Sequence, residues 1–345
     1  MTKRQIIILG AILAILALGI LLKGLMRSVG EGTDPAVRTG VAFLDFEPAK
    51  AERILIGRGT GAASVELAKE NGVWRVKSLW GAPANSAKAE KFIRELISAR
   101  GELRATGSDL FKDFGIEESD AFSIKCLGPG NAVLLDLWVG TKKEGTGGSF
   151  IRRIGSEDIY LVDRDITEML GVYADLGTSK PDGIAWTDLS LFRVDPEQVT
   201  QIMVYRKKGY EKNMVLGLVR KPDPKIPGQG VWSYLRQEMR LPLDPEKVVR
   251  FIAMMNSVRA EGVVDPEGKE YDLAKPAWEL DVYQGSKKTV LTAGPKADKK
   301  DLYYAKVSSA PTLFSLKPTY FDDLNVDDTS FVKEIPKDAE PKKSP

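Results

Sequence analysis

Two glycine-rich segments carry the residue types that bind phosphate groups in nucleotide-binding proteins. The segment 57–61 resembles a dinucleotide loop, but its third glycine comes one residue too early and the following residues alternate as a strand. The segment 140–145 has the two-glycine spacing of a P-loop, yet Thr146 and Gly147 stand where phosphate and metal contacts require Lys and then Ser or Thr. We therefore interpret both segments as loops between strands, and we expect no cofactor.

Two groups of acidic residues offer oxygen ligands for a hard cation such as calcium. The first group is Asp163, Asp165 and Glu168, and the second is Asp322, Asp323, Asp327 and Asp328. Neither group follows the Asp-x-[Asp/Asn]-x-[Asp/Asn]-Gly pattern of a calcium loop. Capping of a helix N-terminus accounts for the first group and a polar loop for the second, so we expect no metal site.

The composition removes several kinds of catalysis. The chain has no His, which excludes Ser-His-Asp and Cys-His catalysis and His-ligated metals. Its single cysteine, Cys126, allows no intrachain disulfide. Cys126 alternates onto the same strand face as Phe122 and Ile124, so we predict that it is a small core residue. These observations predict that the protein is not an enzyme.

Six aromatic residues have the chemistry to line a groove for a glycan or a peptide. They are Trp74, Trp80, Trp232, Trp278, Tyr303 and Tyr304. Trp74 and Trp232 recur at matching positions in two parts of the chain, which favours a core role in each. Trp80 has no such counterpart, so we predict that Trp80 belongs to a partner or ligand surface.

The elements that must position these residues occur twice in the sequence. Aligning Trp74 with Trp232 brings two long segments into register, each with two short apolar runs, then Gly-Val-Trp, then a helix. The helices begin after the N-caps Asn85 and Asp244. Their apolar stripes are Ala89, Phe92, Ile93 and Leu96 in the first copy and Val248, Phe251, Ile252 and Met255 in the second.

Short strands follow each helix, and Phe114-Gly115-Ile116 corresponds to Tyr271-Asp272-Leu273. The pattern predicts an α+β fold, with an N-terminal transmembrane helix followed by two tandem repeats of an antiparallel sheet with a packed amphipathic helix. The predicted parts are a membrane anchor (1–27), a stem (28–50), a first repeat (51–177), a linker (178–196), a second repeat (197–326) and a disordered tail (327–345).

The N-terminus predicts a membrane location. Basic residues Lys3 and Arg4 precede an uncharged apolar run from Ile6 to Leu22, and with snorkelling of Lys23 the span extends to Met26. The run is long for a cleaved signal and lacks a small-residue cleavage site after it. We predict an uncleaved single-pass anchor in the bacterial inner membrane, with Ile6–Met26 in the lipid bilayer and the body facing the periplasm or cell exterior.

The remaining composition describes an ordinary globular body. Apolar residues make up 43% of the 345 residues, charged residues 28%, and the net charge is +2 with both signs scattered. No basic face is clustered, so we expect no nucleic-acid partner.

The pattern resembles a bacterial family, domain-of-unknown-function family 4340. The resemblance rests on the N-terminal apolar segment, on Trp74-Arg75-Val76, on Phe114-Gly115-Ile116 and on Tyr160-Leu161-Val162. It implies an association with gliding-motility-type ABC transporter components, and it brings no catalytic residues. The second copy departs from it where Tyr271-Asp272-Leu273 replaces Phe-Gly-Ile.

Together these observations predict a non-enzymatic accessory or scaffolding protein of an envelope ABC-type transport or gliding-motility-like assembly. Integral membrane transporter subunits are the expected partners. The alternative is an envelope glycan-binding module that uses exposed aromatics, or a polysaccharide-acting enzyme that uses paired carboxylates.

Overall fold

The computed structural model describes residues 41–42, 46–144, 148–173, 175–208, 211–223, 225, 230–235, 243–268, 271–297, 301–326 and 328–333. The predicted anchor, most of the predicted stem and residues 334–345 of the predicted tail lie outside these residues. Within the described residues, no helix has the length and apolar character needed to cross a membrane.

The first sheet lies between residues 41 and 162 of the chain. Its ten described strands lie in the order β1-β6-β10-β9-β8-β7-β2-β3-β4-β5, and all neighbours are antiparallel. The strands are β1 (Val41–Ala42), β2 (Arg53–Arg58), β3 (Val65–Glu70), β4 (Val73–Val76), β5 (Ala82–Pro83), β6 (Arg100–Thr106), β7 (Phe122–Leu127), β8 (Val133–Glu144), β9 (Gly148–Arg153) and β10 (Asp158–Val162).

The second sheet lies between residues 199 and 316. Its eight described strands lie in the order β13-β12-β11-β15-β16-β17-β18-β14, again antiparallel throughout. They are β11 (Val199–Lys208), β12 (Glu211–Pro222), β13 (Gly230–Tyr234), β14 (Gly262–Val264), β15 (Trp278–Gln284), β16 (Lys287–Ala297), β17 (Leu302–Val307) and β18 (Leu313–Leu316).

The two sheets share one strand order. Reading the second sheet from β14 to β13 gives the order found in the first from β6 to β4, and the first sheet adds β1 and β5 at its edges. The common order is a property of the fold, whereas a duplication stays an interpretation of the sequence.

One helix packs against one face of each sheet. The described helices are α1 (Ser86–Ser98), α2 (Phe111–Phe114), α3 (Ile166–Met169), α4 (Pro245–Ser257) and α5 (Pro318–Leu324). The predicted stripes of α1 and α4 are the buried faces of these helices, and they join the two main cores. The predicted N-caps are also confirmed. The Asn85 side chain accepts a hydrogen bond from Lys88 N–H, and the Asp244 side chain accepts one from Glu246 N–H.

The predicted α+β class is wrong, because the described chain is mostly antiparallel β-sheet. The N-terminal transmembrane helix of that prediction is not supported by the described residues, outside which its own residues lie. The apolar pattern of the sequence underestimated the length of the strands. The β11–β12 hairpin continues through the polar pairs Lys207–Lys212 and Lys208–Glu211, which bury no apolar side chain. Backbone hydrogen bonding extends these strands beyond the runs that hydrophobic alternation detects.

The segment after α3 follows the edge of the first sheet. Ala84 forms an antiparallel bridge with Thr187. On either side of this bridge, Asn85 N–H donates to Trp186 O and Asp188 N–H donates to Pro83 O, both at 2.8 Å. The connection between the sheets is therefore tied to the β5 edge as it approaches the second sheet.

Candidate binding cleft

The aromatic residues separate into core and surface. Trp74, Trp232 and Trp278 are buried, as is Tyr304, and Tyr303 packs on Phe321 with ring centroids 4.5 Å apart. Trp80 is 51% exposed. The core interpretation of Trp74 and Trp232 is confirmed, and a surface role for Trp80 stays a prediction.

A short turn holds Trp80 at the surface. Trp80 follows the 3-10 turn Lys77–Leu79 and takes a left-handed backbone conformation, with φ of 50°. A Cβ on Gly183 would lie 3.0 Å from Leu79 Cδ1, so this turn packs closely against the segment that connects the two sheets.

The glycine-rich segment 57–61 has a structural contact that explains its arginine. The buried guanidinium of Arg58 donates to Leu176 O at 2.7 Å, to Ser179 O at 2.8 Å and to Gly177 O, and it pairs with Asp120. Arg58 thereby fixes the segment after α3 to the end of β2. In the P-loop-like segment, Gly140 lies within β8, while residues 145–147 lie outside the described residues.

The first acidic group serves local structure. Asp165 accepts from Glu168 N–H at 3.0 Å, and Asp163 accepts from Arg100 N–H at 3.2 Å. In the second group Asp327 lies outside the described residues, and Asp322 and Asp323 are exposed. No group of three metal-ligating side chains occurs in the described part of the chain.

Cys126 lies in the core of the first sheet. It is fully buried, which confirms the prediction from strand alternation. Burial raises the pKa of its thiol to about 12, so the reactive thiolate is scarce at neutral pH.

A groove runs between α1 and the start of α3. It is lined by Lys88, Lys91, Phe92, Glu95, Arg164, Asp165, Glu168 and Met169. Glu95 accepts from Arg164 Nε at 3.0 Å, and the Asp165 carboxylate caps α3. Lys88 Nζ donates to Ala185 O at 2.8 Å, and burial lowers the pKa of this ammonium group. The interactions of Glu95, Asp165 and Lys88 are thus explained by packing of α1 on its neighbours.

A larger set of residues lines a cleft of about 310 Å³ where the two sheets meet. We call it the inter-sheet cleft. The first sheet contributes Val73, Arg75 and Pro83, the connecting segment contributes Asp188 and Ser190–Val194, and the second sheet side contributes Gln284, Lys287, Thr289, Val307, Ser309, Ala310 and Phe314. Sites between packed units are common places for ligands and partners.

The inter-sheet cleft has an apolar floor. Leu191, Phe192 and Phe314 are each no more than 5% exposed. Val73, on β4, lies at the opening with 48% of its surface exposed. The floor residues are thus already buried by the protein, and the apolar surface open to a ligand is that of Val73.

The charged groups of the cleft are mostly cations. Arg75 comes from β4, Arg193 from the connecting segment and Lys287 from β16, whereas Asp188 is the acidic group of the lining. The Arg193 guanidinium pairs with the Asp188 carboxylate. Asp188 also accepts from Ser190 N–H at 3.2 Å. The excess of positive charge suits an anionic ligand group.

Sequence patterns did not identify this cleft. Its cations are far apart in the chain, and only the packing of the two sheets brings them together. A local signal existed at Arg75, which stands between the buried Trp74 and Val76 on β4 and therefore faces outward. Nothing comparable in the sequence connects Arg75 with Lys287.

In comparisons with known proteins, a family model matches part of the chain. A family model described as "Domain of unknown function (DUF4340)" matches residues 74–228, which supports the family assignment. The match covers most of β4, strands β5 to β10 of the first sheet, the connecting segment, and strands β11 and β12 of the second sheet. No curated protein and no solved structure matches the chain.

Proposed function

We propose that this protein is a non-enzymatic accessory or scaffolding protein of a bacterial envelope ABC-type transport or gliding-motility-like assembly. The observation that carries the proposal is the inter-sheet cleft, which joins an apolar floor to a cationic opening. A cleft of this kind is suited to binding a partner, because it offers apolar contact area and charged groups.

The location and the partner class are supported by the sequence. The apolar run from Ile6 to Leu22, with Lys3 and Arg4 before it, supports placement at the inner membrane with the body facing the periplasm or cell exterior. The resemblance to domain-of-unknown-function family 4340 supports integral membrane transporter subunits as partners.

Recovery of partners from native membranes tests the proposal. The full-length protein would be purified in a mild detergent that preserves known complexes, and the accompanying proteins identified by mass spectrometry. We expect transporter subunits in stoichiometric amounts. Recovery of the protein alone under the same conditions would contradict the accessory role.

Exposed Trp80 favours envelope glycan binding as a second candidate function, because aromatic side chains provide flat apolar faces for sugar rings. Titration with purified envelope polysaccharide would then shift the tryptophan fluorescence of the wild type but not of Trp80→Ala. Trp74→Phe is unsuitable as a control because Trp74 is in the core, so Tyr173→Ala, at an exposed position, serves instead.

A further inference from the structure

Two cations of the inter-sheet cleft lack a carboxylate partner among the described residues. Arg75 and Lys287 both line the cleft, and no ion pair of the described chain includes either of them at 4.0 Å or less. The carboxylate of Glu70 is influenced by Arg75, but its pKa is lowered mainly by the hydrogen bond from Lys77, at 2.8 Å. Arg75 and Lys287 therefore remain available to an incoming anion.

The acidic group of the cleft does not neutralise them. Asp188 accepts from the Arg193 guanidinium and from Ser190 N–H. Its hydrogen bonds hold the wall of the cleft together. The positive charge at the opening thus comes from two different sheets with no matching negative charge in the lining.

We propose that the inter-sheet cleft binds an acidic linear peptide segment of a protein partner, with carboxylates at Arg75 and Lys287 and an apolar side chain against Val73 at the opening. This inference rests on the proposed function, because it names the kind of partner segment that an accessory protein would hold.

The combination of surfaces favours a peptide. A free inorganic anion would use the cations and leave the exposed Val73 side chain at the opening in water, whereas a peptide can cover both. A volume of about 310 Å³ lies at the lower end of the ~300–1,000 Å³ range of ligand pockets, which suits a few side chains. Hydroxyl groups of Ser190 and Ser309 in the lining offer hydrogen bonds to a peptide backbone.

Fluorescence anisotropy with a labelled Glu-Phe-Glu-Leu-Glu peptide tests the inference on the full-length protein in detergent. We expect saturable binding by the wild type and none of the Lys-Phe-Lys-Leu-Lys peptide. The Arg75→Gln and Lys287→Gln substitutions should each weaken binding about tenfold, as for the loss of one charge-assisted hydrogen bond. Val73→Ser, at an exposed position, should weaken binding of the Phe-containing peptide but not of an all-Glu peptide.

The matched control removes one arginine charge and one lysine charge at positions outside the cleft. Arg94→Gln/Lys208→Gln changes an exposed residue of α1 and an exposed residue of β11, neither of which lines the cleft, and it should bind as the wild type does. Circular dichroism would verify that all variants are folded. Equal binding by wild type and the Arg75→Gln/Lys287→Gln variant would overturn the inference.

Two further results separate this inference from the proposed function. If vesicles with anionic phosphatidylglycerol bind the wild type but not the Arg75→Gln/Lys287→Gln variant, and the peptide binds neither, the cleft is a lipid headgroup site and the peptide inference is overturned. If the peptide binds as expected but native membranes yield no transporter subunit, the accessory role fails while the peptide site stands. Recovery of subunits by wild type and reduced recovery by Arg75→Gln/Lys287→Gln would support both.

Discussion

The carbonyl oxygen of Tyr271 lies directly against Gly294, where a Cβ atom would stand only 2.1 Å from it. Gly140 in the first sheet has the same relationship with Phe114, whose carbonyl oxygen would lie 2.6 Å from an added Cβ. In each sheet a chain segment therefore crosses a long strand at a distance that only glycine permits. This crossing gives a structural reason for the correspondence of Phe114-Gly115-Ile116 with Tyr271-Asp272-Leu273.

The close approach predicts that Gly294→Ala destabilises the second sheet. Because the clash is with backbone, the strand or the crossing segment must shift, and we expect a loss of about 2–3 kcal/mol in the free energy of unfolding. Urea unfolding followed by circular dichroism measures it. Gly61→Ala is the control, since a Cβ at Gly61 meets nothing within 4 Å; an equal loss in both variants would contradict the explanation.

Asp272 predicts a second effect of the same crossing. Asp272 has a φ of 32° and occupies the place that Gly115, with φ of 65°, has in the first sheet. A side chain is strained in this left-handed region. We expect Asp272→Gly to be more stable than Asp272→Ala by about 1 kcal/mol in the free energy of unfolding. Equal stabilities of the two variants would show that the backbone is not strained there.

The contacts of Arg58 predict that the stability of the fold depends strongly on guanidinium geometry. Arg58 uses two nitrogens, Nη1 for the Leu176 and Ser179 carbonyls and Nη2 for Asp120 and Gly177 O. Lysine has a single nitrogen with three N–H groups, so carbonyl groups would lose their partner. We expect Arg58→Lys to lower the free energy of unfolding by about 2–4 kcal/mol.

The matched control for Arg58 is Arg53→Lys. Arg53 pairs with Glu66 at 2.8 Å, but its side chain is 37% exposed, so we expect a loss below about 1 kcal/mol. Thermal unfolding and limited proteolysis within residues 176–182 would measure both variants. Similar losses would show that the Arg58 contacts contribute no more than a surface pair.

Glu279 predicts an acid-dependent contribution to stability. Burial acts to raise the pKa of its carboxyl group, but hydrogen bonds from Lys207 and Lys212 outweigh burial and lower the pKa below its ordinary value of 4.5. The contribution is therefore present above the ordinary value and is lost as the pH falls through the lower folded-state value. The difference in unfolding free energy between wild type and Glu279→Gln should shrink on acidification from about pH 6 to about pH 3. A difference in unfolding free energy that stays constant across this pH range would contradict the expected contribution of Glu279.

Local patterns were sufficient for some elements and not for others. The cap Asn85 and the stripe containing Phe92 and Leu96 predicted α1, because both signals lie within a few residues of each other. Strand alternation likewise placed Cys126 in the core. The polar ends of the β11–β12 hairpin were missed, and this contributed to the wrong fold class. Arg75 and Lys287 were missed as a pair because only tertiary packing brings them to one cleft.

The bridge between Ala84 and Thr187, with the hydrogen bond from Asp188 N–H to Pro83 O, means that one wall of the inter-sheet cleft is an extension of a sheet edge. Its backbone is ordered before any ligand arrives. A segment that enters the cleft would lose its own conformational entropy but would require little ordering of the protein. The cations at the opening would accelerate the encounter with an acidic segment most at low ionic strength.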